Sequence, residues 1–321
     1  MRSLAIHCRR RLGARVKKAA IRVTAAGIAA LGLMARGGLS TPFSRRRWAT
    51  GLASLAVLAG LTAPLAAMQP ASATLPGPVV YQGEGFDTAS PPPTADMTDW
   101  WTTTPYSGLG IYLGGENSGG INPGHNYIAS IMTTGYAVWL YWVGPQSACV
   151  NQAHLAHFSN DPGTAQSQGE AEADAAVAAA TATGFGSVYI VYDLEGYDTN
   201  NATCVTAAAS FINGFQFEVH NVDGRHGAVY GSSCASDLDN LVNHSNVPEA
   251  IFPASGDAHF ATTPIECIAN NHWDHNQRIH QWSGGTRTRF FPGDSGPSIS
   301  LDEDCADGPA ESRIAWDLGC H

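Results

Sequence analysis

Short apolar runs recur along this chain, most of them closed by glycine or a small polar residue. Taken in order they are Gly85-Phe86-Asp87, Leu109-Gly110-Ile111-Tyr112-Leu113, residues 136–143, residues 187–194, Gly227-Ala228-Val229-Tyr230, Ala250-Ile251-Phe252, residues 278–282 and Ser298-Ile299-Ser300-Leu301. Continuous apolar runs of this length, rich in β-branched and aromatic residues, read as strands buried on both faces, the signature of a parallel sheet. Between them the periodicity changes. Residues 165–183 are alanine-rich, with Glu170, Glu172 and Asp174 near the start, where a helix dipole favours acids. Residues 202–219 set Val205, Ala209, Ile212, Phe215 and Val219 at helical spacing. Shorter helices are expected over 96–103 and 236–243. The link over 283–297 is rich in Gly and Pro and too short for a full helix. Strand–helix alternation over this length predicts an α/β fold, an irregular (β/α)8 TIM-type barrel with some helices short or missing in the C-terminal half. A doubly wound open sheet is the alternative.

The amino-terminal part breaks this pattern and reads as an address. Ser44-Arg45-Arg46-Arg47-Trp48 is similar to a twin-arginine motif, an apolar stretch spans 51–66, and Ala71-Ser72-Ala73 is a small-x-small cleavage site. The apolar stretch is shorter than the roughly 20 residues a membrane span needs. The division is therefore a signal peptide over 1–73 (with Met34 as an alternative start), an extended lead-in over 74–82 and the barrel domain over 83–321. The expected location is secreted or associated with the cell envelope, with no stable membrane insertion after cleavage. Twelve of the 17 Lys and Arg fall in the leader, leaving five arginines against 27 acids, a formal charge of −22. Such a surface repels nucleic acid and anionic membranes. A monomer is expected.

Six cysteines follow the leader: Cys149, Cys204, Cys234, Cys267, Cys305 and Cys320. An even number in an exported chain reads as disulfides. Cys149 and Cys204 lie just past the third and fourth strands, neighbours in a barrel, and are expected to pair. Cys234–Cys267 and Cys305–Cys320 complete the expected set. No metal or cofactor is expected: there is no C-x-x-C, and His272-Trp273-Asp274-His275 reads as surface or supporting groups. No G-x-x-x-x-G-K phosphate loop and no G-x-S-x-G elbow occurs, which argues against nucleotide binding and a serine hydrolase.

The chemistry concentrates in carboxylates at strand ends. In Tyr192-Asp193-Leu194-Glu195, side-chain alternation turns Asp193 and Glu195 to one face. Two adjacent carboxylates disfavour each other's charge and raise a pKa. Glycosidases use this situation, one acid protonating the leaving oxygen while a second carboxylate stabilises or attacks the sugar. Asp87 ends the first strand, and Asp302 and Asp304 lie on the eighth, its neighbour in a closed barrel. Tyr112, Trp142, Tyr197 and Trp282 are candidates for stacking on sugar rings, whereas Trp139 and Tyr141 read as core.

An ordered set of motifs carries a resemblance. It comprises Gly85-Phe86-Asp87-Thr88, Met97 and Trp100 ahead of Pro105-Tyr106, Gly110-Ile111-Tyr112-Leu113-Gly114-Gly115, Tyr141-Trp142-Val143-Gly144-Pro145-Gln146, residues 169–175, Tyr192-Asp193-Leu194-Glu195-Gly196-Tyr197, Arg278-Ile279-His280-Gln281-Trp282 and Leu301-Asp302-Glu303-Asp304. Together they resemble the glycoside-hydrolase-like domain of exported actinobacterial proteins, a TIM-barrel relative of the family 25 glycoside hydrolases, the bacterial-type muramidases. The resemblance implies a carboxylate-lined pocket, with Asp87, Asp193 and Glu195 at the family 25 positions and Glu195 as general acid. Asp193 would stabilise the cationic centre or position substrate, and Asp87 and Asp302 would orient water or hydroxyls. Substrate contacts would come from Tyr112, Trp142, Gln146, Tyr197, Gln281 and Trp282, and the partner would be peptidoglycan or another polysaccharide. The sixth strand, Ile251-Phe252-Pro253-Ala254-Ser255-Gly256, departs from the pattern by lacking a Trp followed by charged residues. The rival reading is a non-catalytic glycan-binding or envelope accessory protein on the same barrel.

Overall fold

A computed structural model describes residues 77–186, 188–283, 287–289, 299–312 and 316–317. The leader, the expected cleavage site and Cys320 lie outside the described residues. The first half is built of strand–helix units in order: β1 (Pro78–Asp87), α1 (Thr94–Thr103), β2 (Gly108–Gly114), α2 (Gly124–Thr134), β3 (Ala137–Trp142), α3 (Pro162–Ala182), β4 (Tyr189–Leu194), α4 (Ala202–Phe217) and β5 (His226–Ser232). Among the described residues the second half has strands without α-helices: β6 (Ala250–Ala254), β7 (Arg278–Gln281), β8 (Arg287–Arg289), β9 (Ile299–Glu311) and β10 (Trp316–Asp317). Strands β1 to β7 follow one another around the sheet, and β9 joins β7 back to β1. The eight strands close, so the sheet is a barrel and not the open alternative.

The closing strand departs from the all-parallel expectation. Strands β1 to β7 run parallel, but β9 pairs antiparallel with both β7 and β1. Parallel neighbours need a crossover to the other end of the barrel, whereas a strand that starts at the end where its neighbour finishes turns back along it and must pair antiparallel, as β9 does with β7. Strand β8 forms such a return, pairing Arg287 with Leu301 and Arg289 with Ile299. Strand β1 begins at Pro78, inside the segment read as a lead-in, and pairs with β9 along its whole length, from Pro78 opposite Glu311 to Asp87 opposite Asp302.

Alternation sorts side chains into two apolar layers. On β3, Ala137, Trp139 and Tyr141 point into the barrel, while Val138, Leu140 and Trp142 face the helices. Trp139 fills the lumen because β1 and β2 carry glycine beside it. A Cβ on Gly85 or Gly108 would lie 2.2 or 2.3 Å from its ring. Tyr141 lies above, edge-on to Tyr230 and Phe252 with ring centroids 5.7 and 6.0 Å apart. The outer layer packs the helices. Helices α3 and α4 cross so closely that a Cβ on Gly169 would meet the Phe211 carbonyl oxygen at 2.0 Å.

Local signals explain the helix limits. Asp161 caps α3, accepting from the Thr164 amide at 2.9 Å, with Pro162 in the first turn. The helix therefore starts before residue 165, and no acid occupies its first turn. The expected dipole role of Glu170, Glu172 and Asp174 falls away, and Glu172 instead accepts from Trp142 Nε1 at 2.6 Å. Helix α2 is an element the periodicity did not predict, held by Ile128, Ile131 and Met132. The helix expected over 236–243 is a short 3-10 turn, Leu238–Asn243.

Where helices are missing, polar and covalent ties replace them. The loop 255–277 contains no helix. Buried Arg278 donates to the carbonyls of His272, Thr262 (3.1 Å) and Ala269 (2.7 Å) and to Thr263 Oγ1 (2.8 Å). Cys234–Cys267 ties this loop to the one after β5, and Cys149–Cys204 ties the loop after β3 to α4, with Cα separations of 5.1 and 6.1 Å. Both are the expected pairs. Cys305 is disulfide-bonded. No helix among the described residues is long and apolar enough to cross a membrane.

Candidate active site

The inward alternation that fills the lumen with aromatics ends, at the carboxyl ends of the parallel strands, in carboxylates. Asp87 ends β1, Asp193 lies one residue from the end of β4, and Glu195 follows that strand directly. Asp302 and Asp304 reach the same end for a reason opposite to the one expected. They lie near the start of β9, and because β9 runs antiparallel, its start lies where the other strands finish. Asp302 is in register with Asp87 and Asp304 with Gln281.

Asp87 is buried and held by two donors. Tyr112 Oη donates to its Oδ1 at 3.4 Å and Gln281 Nε2 to its Oδ2 at 3.0 Å. The Gln281 amide oxygen in turn accepts from Tyr230 Oη at 2.8 Å. Burial, then the neighbouring Asp302 charge, push the Asp87 pKa up to about 7, against the pull of the two hydrogen bonds. Asp193 is driven well above the carboxylate range by burial and then by Glu195 and Asp87. Asp304 is driven the same way by burial and then by Asp87, Asp302 and Glu303. Burial raises Glu195 and Asp302 too, and both remain half-buried at the opening. Of the two expected sources of the Glu195 shift, burial and the neighbouring Asp193 charge, burial is the one that acts.

The backbone of the D-x-E segment is pinned. Gln146 is fully buried; its Nε2 donates to the Asp193 carbonyl and its Oε1 accepts from the Glu195 amide, each at 2.8 Å. Ser236 Oγ donates to the Leu194 carbonyl at 2.9 Å. Gln146 therefore positions the acids through the main chain and spends its amide there.

The structure brings Asp87, Asp193, Glu195, Asp302, Tyr112 and Gln281 together. Trp282 is half-buried just past β7, edge-on to Phe260 at 5.5 Å. Trp142 and Tyr197, expected to stack on sugar, belong instead to the outer apolar layer. Strand parity explains Trp142, since Tyr141 beside it points inward. Tyr230 and Asp304 join the cluster without having been assigned a role from sequence. Tyr230 shares the inward parity of Ala228, which was a usable signal. The divergent β6 contributes Phe252 to the floor. Of the expected surface histidines, His272 Nδ1 lies 2.8 Å from Asp239 and His275 pairs with Asp274. Two surface grooves, of about 330 and 460 Å³, lie away from the cluster, along α4 and residues 240–249.

Fold and site together define a TIM-type barrel whose carboxyl cluster is gathered on the face where parallel strands end, the face that carries active sites in enzymes of this fold. The chain belongs to the Rv2525c-like, glycoside hydrolase-like domain family, whose model matches residues 99–294. Solved structures with a similar chain path include the spore cortex lytic enzyme SleM of Clostridium perfringens (12% identity, TM-score 0.47, covering 70% of this chain and 67% of that one). A family 25 glycosyl hydrolase from Bacillus anthracis gives 14% identity and a TM-score of 0.45 over 71% and 90% of the two chains. An uncharacterized B. stearothermophilus protein gives 16% and 0.46 over 70% and 95%. No curated protein matches the chain.

Proposed function

We propose that the protein is an exported, monomeric glycoside hydrolase acting on a cell-envelope or extracellular glycan, with Glu195 as general acid. The observation that carries this reading is the pinned, half-buried Glu195 beside buried Asp193 at the end of β4, in a chain of glycoside hydrolase-like family. A general acid must hold its proton at working pH and reach substrate. Burial moves Glu195 toward the first need by raising its pKa, and its half-buried side chain at the opening meets the second. It donates that proton to the glycosidic oxygen as the bond breaks.

The positive charge that develops at the sugar needs a facing carboxylate. Asp87 suits that role better than Asp193. Its pKa near 7 leaves a large ionised fraction at neutral pH, and Tyr112 and Gln281 donate to the charged form. Asp193 and Asp302 then shape the field and orient water or hydroxyls, and Trp282 offers an edge for a sugar ring. Reducing-sugar release from purified peptidoglycan and a panel of polysaccharides tests the reading, with Glu195→Gln beside wild type and exposed Asp198→Asn as control. Release by wild type and Asp198→Asn, lost in Glu195→Gln, supports it. Full release by Glu195→Gln overturns the acid assignment. Binding without release by wild type moves the protein to the accessory-protein reading.

A further inference from the structure

The cluster gathers more carboxyl oxygens than acid catalysis uses, and among the described residues no cationic side chain meets them. Five carboxyl groups converge: Asp87, Asp193, Glu195, Asp302 and Asp304. Hydrogen bonds from side chains reach only Asp87 among them, from the neutral donors Tyr112 and Gln281. Asp193 Oδ1, Asp302 Oδ1 and Asp304 Oδ2 are buried with no hydrogen-bond partner among the described residues. Asp193 and Asp304 are only 6% and 2% exposed, so these are not oxygens that bulk water serves. Leaving such groups unpaired is costly. The charges acting on Asp87, Asp193 and Asp304 all come from other carboxylates. Of the described side chains, both arginines are committed elsewhere: Arg225 to Thr181 and the Phe185 carbonyl, Arg278 to the 262–272 carbonyls. Among the described side chains no cation is left to meet these oxygens, and a ligand that brings several N–H donors would suit them.

We infer that the site selects a glycan bearing a free ammonium group, a de-N-acetylated amino sugar, over the N-acetylated form. This deepens the glycosidase reading and rests on it for the sugar itself. An ammonium offers three donors to acceptor-only oxygens. An acetamido group in the same position offers one donor and turns a carbonyl oxygen toward a wall of acceptors. The phenol rings of Tyr112 and Tyr230, half-buried beside Asp87 and Gln281, add electron-rich surface that favours a cation over an acetyl methyl.

Binding rather than turnover tests this, so that its failure and that of the hydrolase reading can be told apart. Calorimetric titrations would use the fully de-N-acetylated glucosamine tetrasaccharide and the N-acetylglucosamine tetrasaccharide. The expected result is at least about tenfold tighter binding of the amino form, a preference equivalent to about 1.4 kcal/mol. That preference should shrink in Asp304→Asn, and in wild type as salt is raised. Asp198→Asn, the same formal change at an exposed position, should keep it. Equal affinities, tighter binding of the acetylated sugar, or no binding of either overturns the inference. A preference that falls as much in Asp198→Asn as in Asp304→Asn also overturns it, by reducing it to overall charge. None of these results touches the release assay with Glu195→Gln, which judges the hydrolase reading by itself.

Discussion

The two halves of the barrel reach the same closed sheet by different physics. From β1 to β5 every crossover carries an α-helix, and stability comes from apolar layers and the tight α3–α4 crossing. From β6 onward, among the described residues, no crossover does. Arg278, Cys234–Cys267 and the reversed β9 hold that half together. The regular half supplies Asp87, Asp193 and Glu195 from strand ends, and the irregular half supplies Asp302 and Asp304 from a strand start. A barrel face needs carboxylates in the right place, and either strand direction can deliver them.

If the regular half holds the acid and the irregular half only shapes the field, Glu195→Gln should lower kcat by about 10²–10⁴-fold, while Asp302→Asn costs closer to tenfold. Steady-state kinetics on any cleaved glycan decides, and equal losses would erase the distinction. Next in size are the packing variants. Gly169→Val should cost about 3 kcal/mol by forcing α3 and α4 apart. Arg278→Met should cost about as much by stripping partners from buried carbonyls. Urea denaturation measures both, but only the Arg278 variant should expose residues 255–277 to proteolysis while the rest stays folded.

A pH series probes the two ends of the β1–β9 pairing. Burial pushes Asp87 to about 7 and Glu311, whose carboxylate also accepts from the Tyr189 amide, to about 8. Both lie above the unfolded values, near 4, so the fold favours the protonated forms. This stabilisation is fully present below about pH 4 and lost as pH rises through about 7 to 8. The urea midpoint should therefore fall between about pH 5 and pH 8.5, and Asp87→Asn and Glu311→Gln should each flatten the fall. A midpoint that rises over this interval would contradict the buried-acid account. The smallest effect is expected for Trp142→Phe. Losing the bond to Glu172 should cost about 1 kcal/mol in urea and change glycan turnover by less than about twofold, because the ring faces the helices.

Much of this was legible in the residues. Apolar runs located the eight barrel strands, and D-x-E alternation located Asp193 and Glu195. The same alternation, applied to 137–142, separates inward Tyr141 from outward Trp142; reading the motif as a block obscured it. The Gly- and Pro-rich link over 283–297 is too short for a full helix, and a strand that lacks a crossover to the far end of the barrel must run reversed. The proton balance was not legible. It depends on how deeply Asp193 and Asp304 are buried, which follows only once β4 and β9 are brought to one end. Helix α2 escaped because its few apolar positions carry too little periodicity to stand out.

Pairing of β1 with β9 also sets an order of events in folding. The first described strand finds its full-length partner only at the far end of the chain, a contact of high sequence separation that is slow to form. Until Ile299–Glu311 has been synthesised, β1 presents an open edge, the kind that recruits other chains. Closure is thus a late step, and the Asp87–Asp302 register is set only then. A truncation anywhere before residue 299 should leave an aggregation-prone open sheet in place of a smaller barrel.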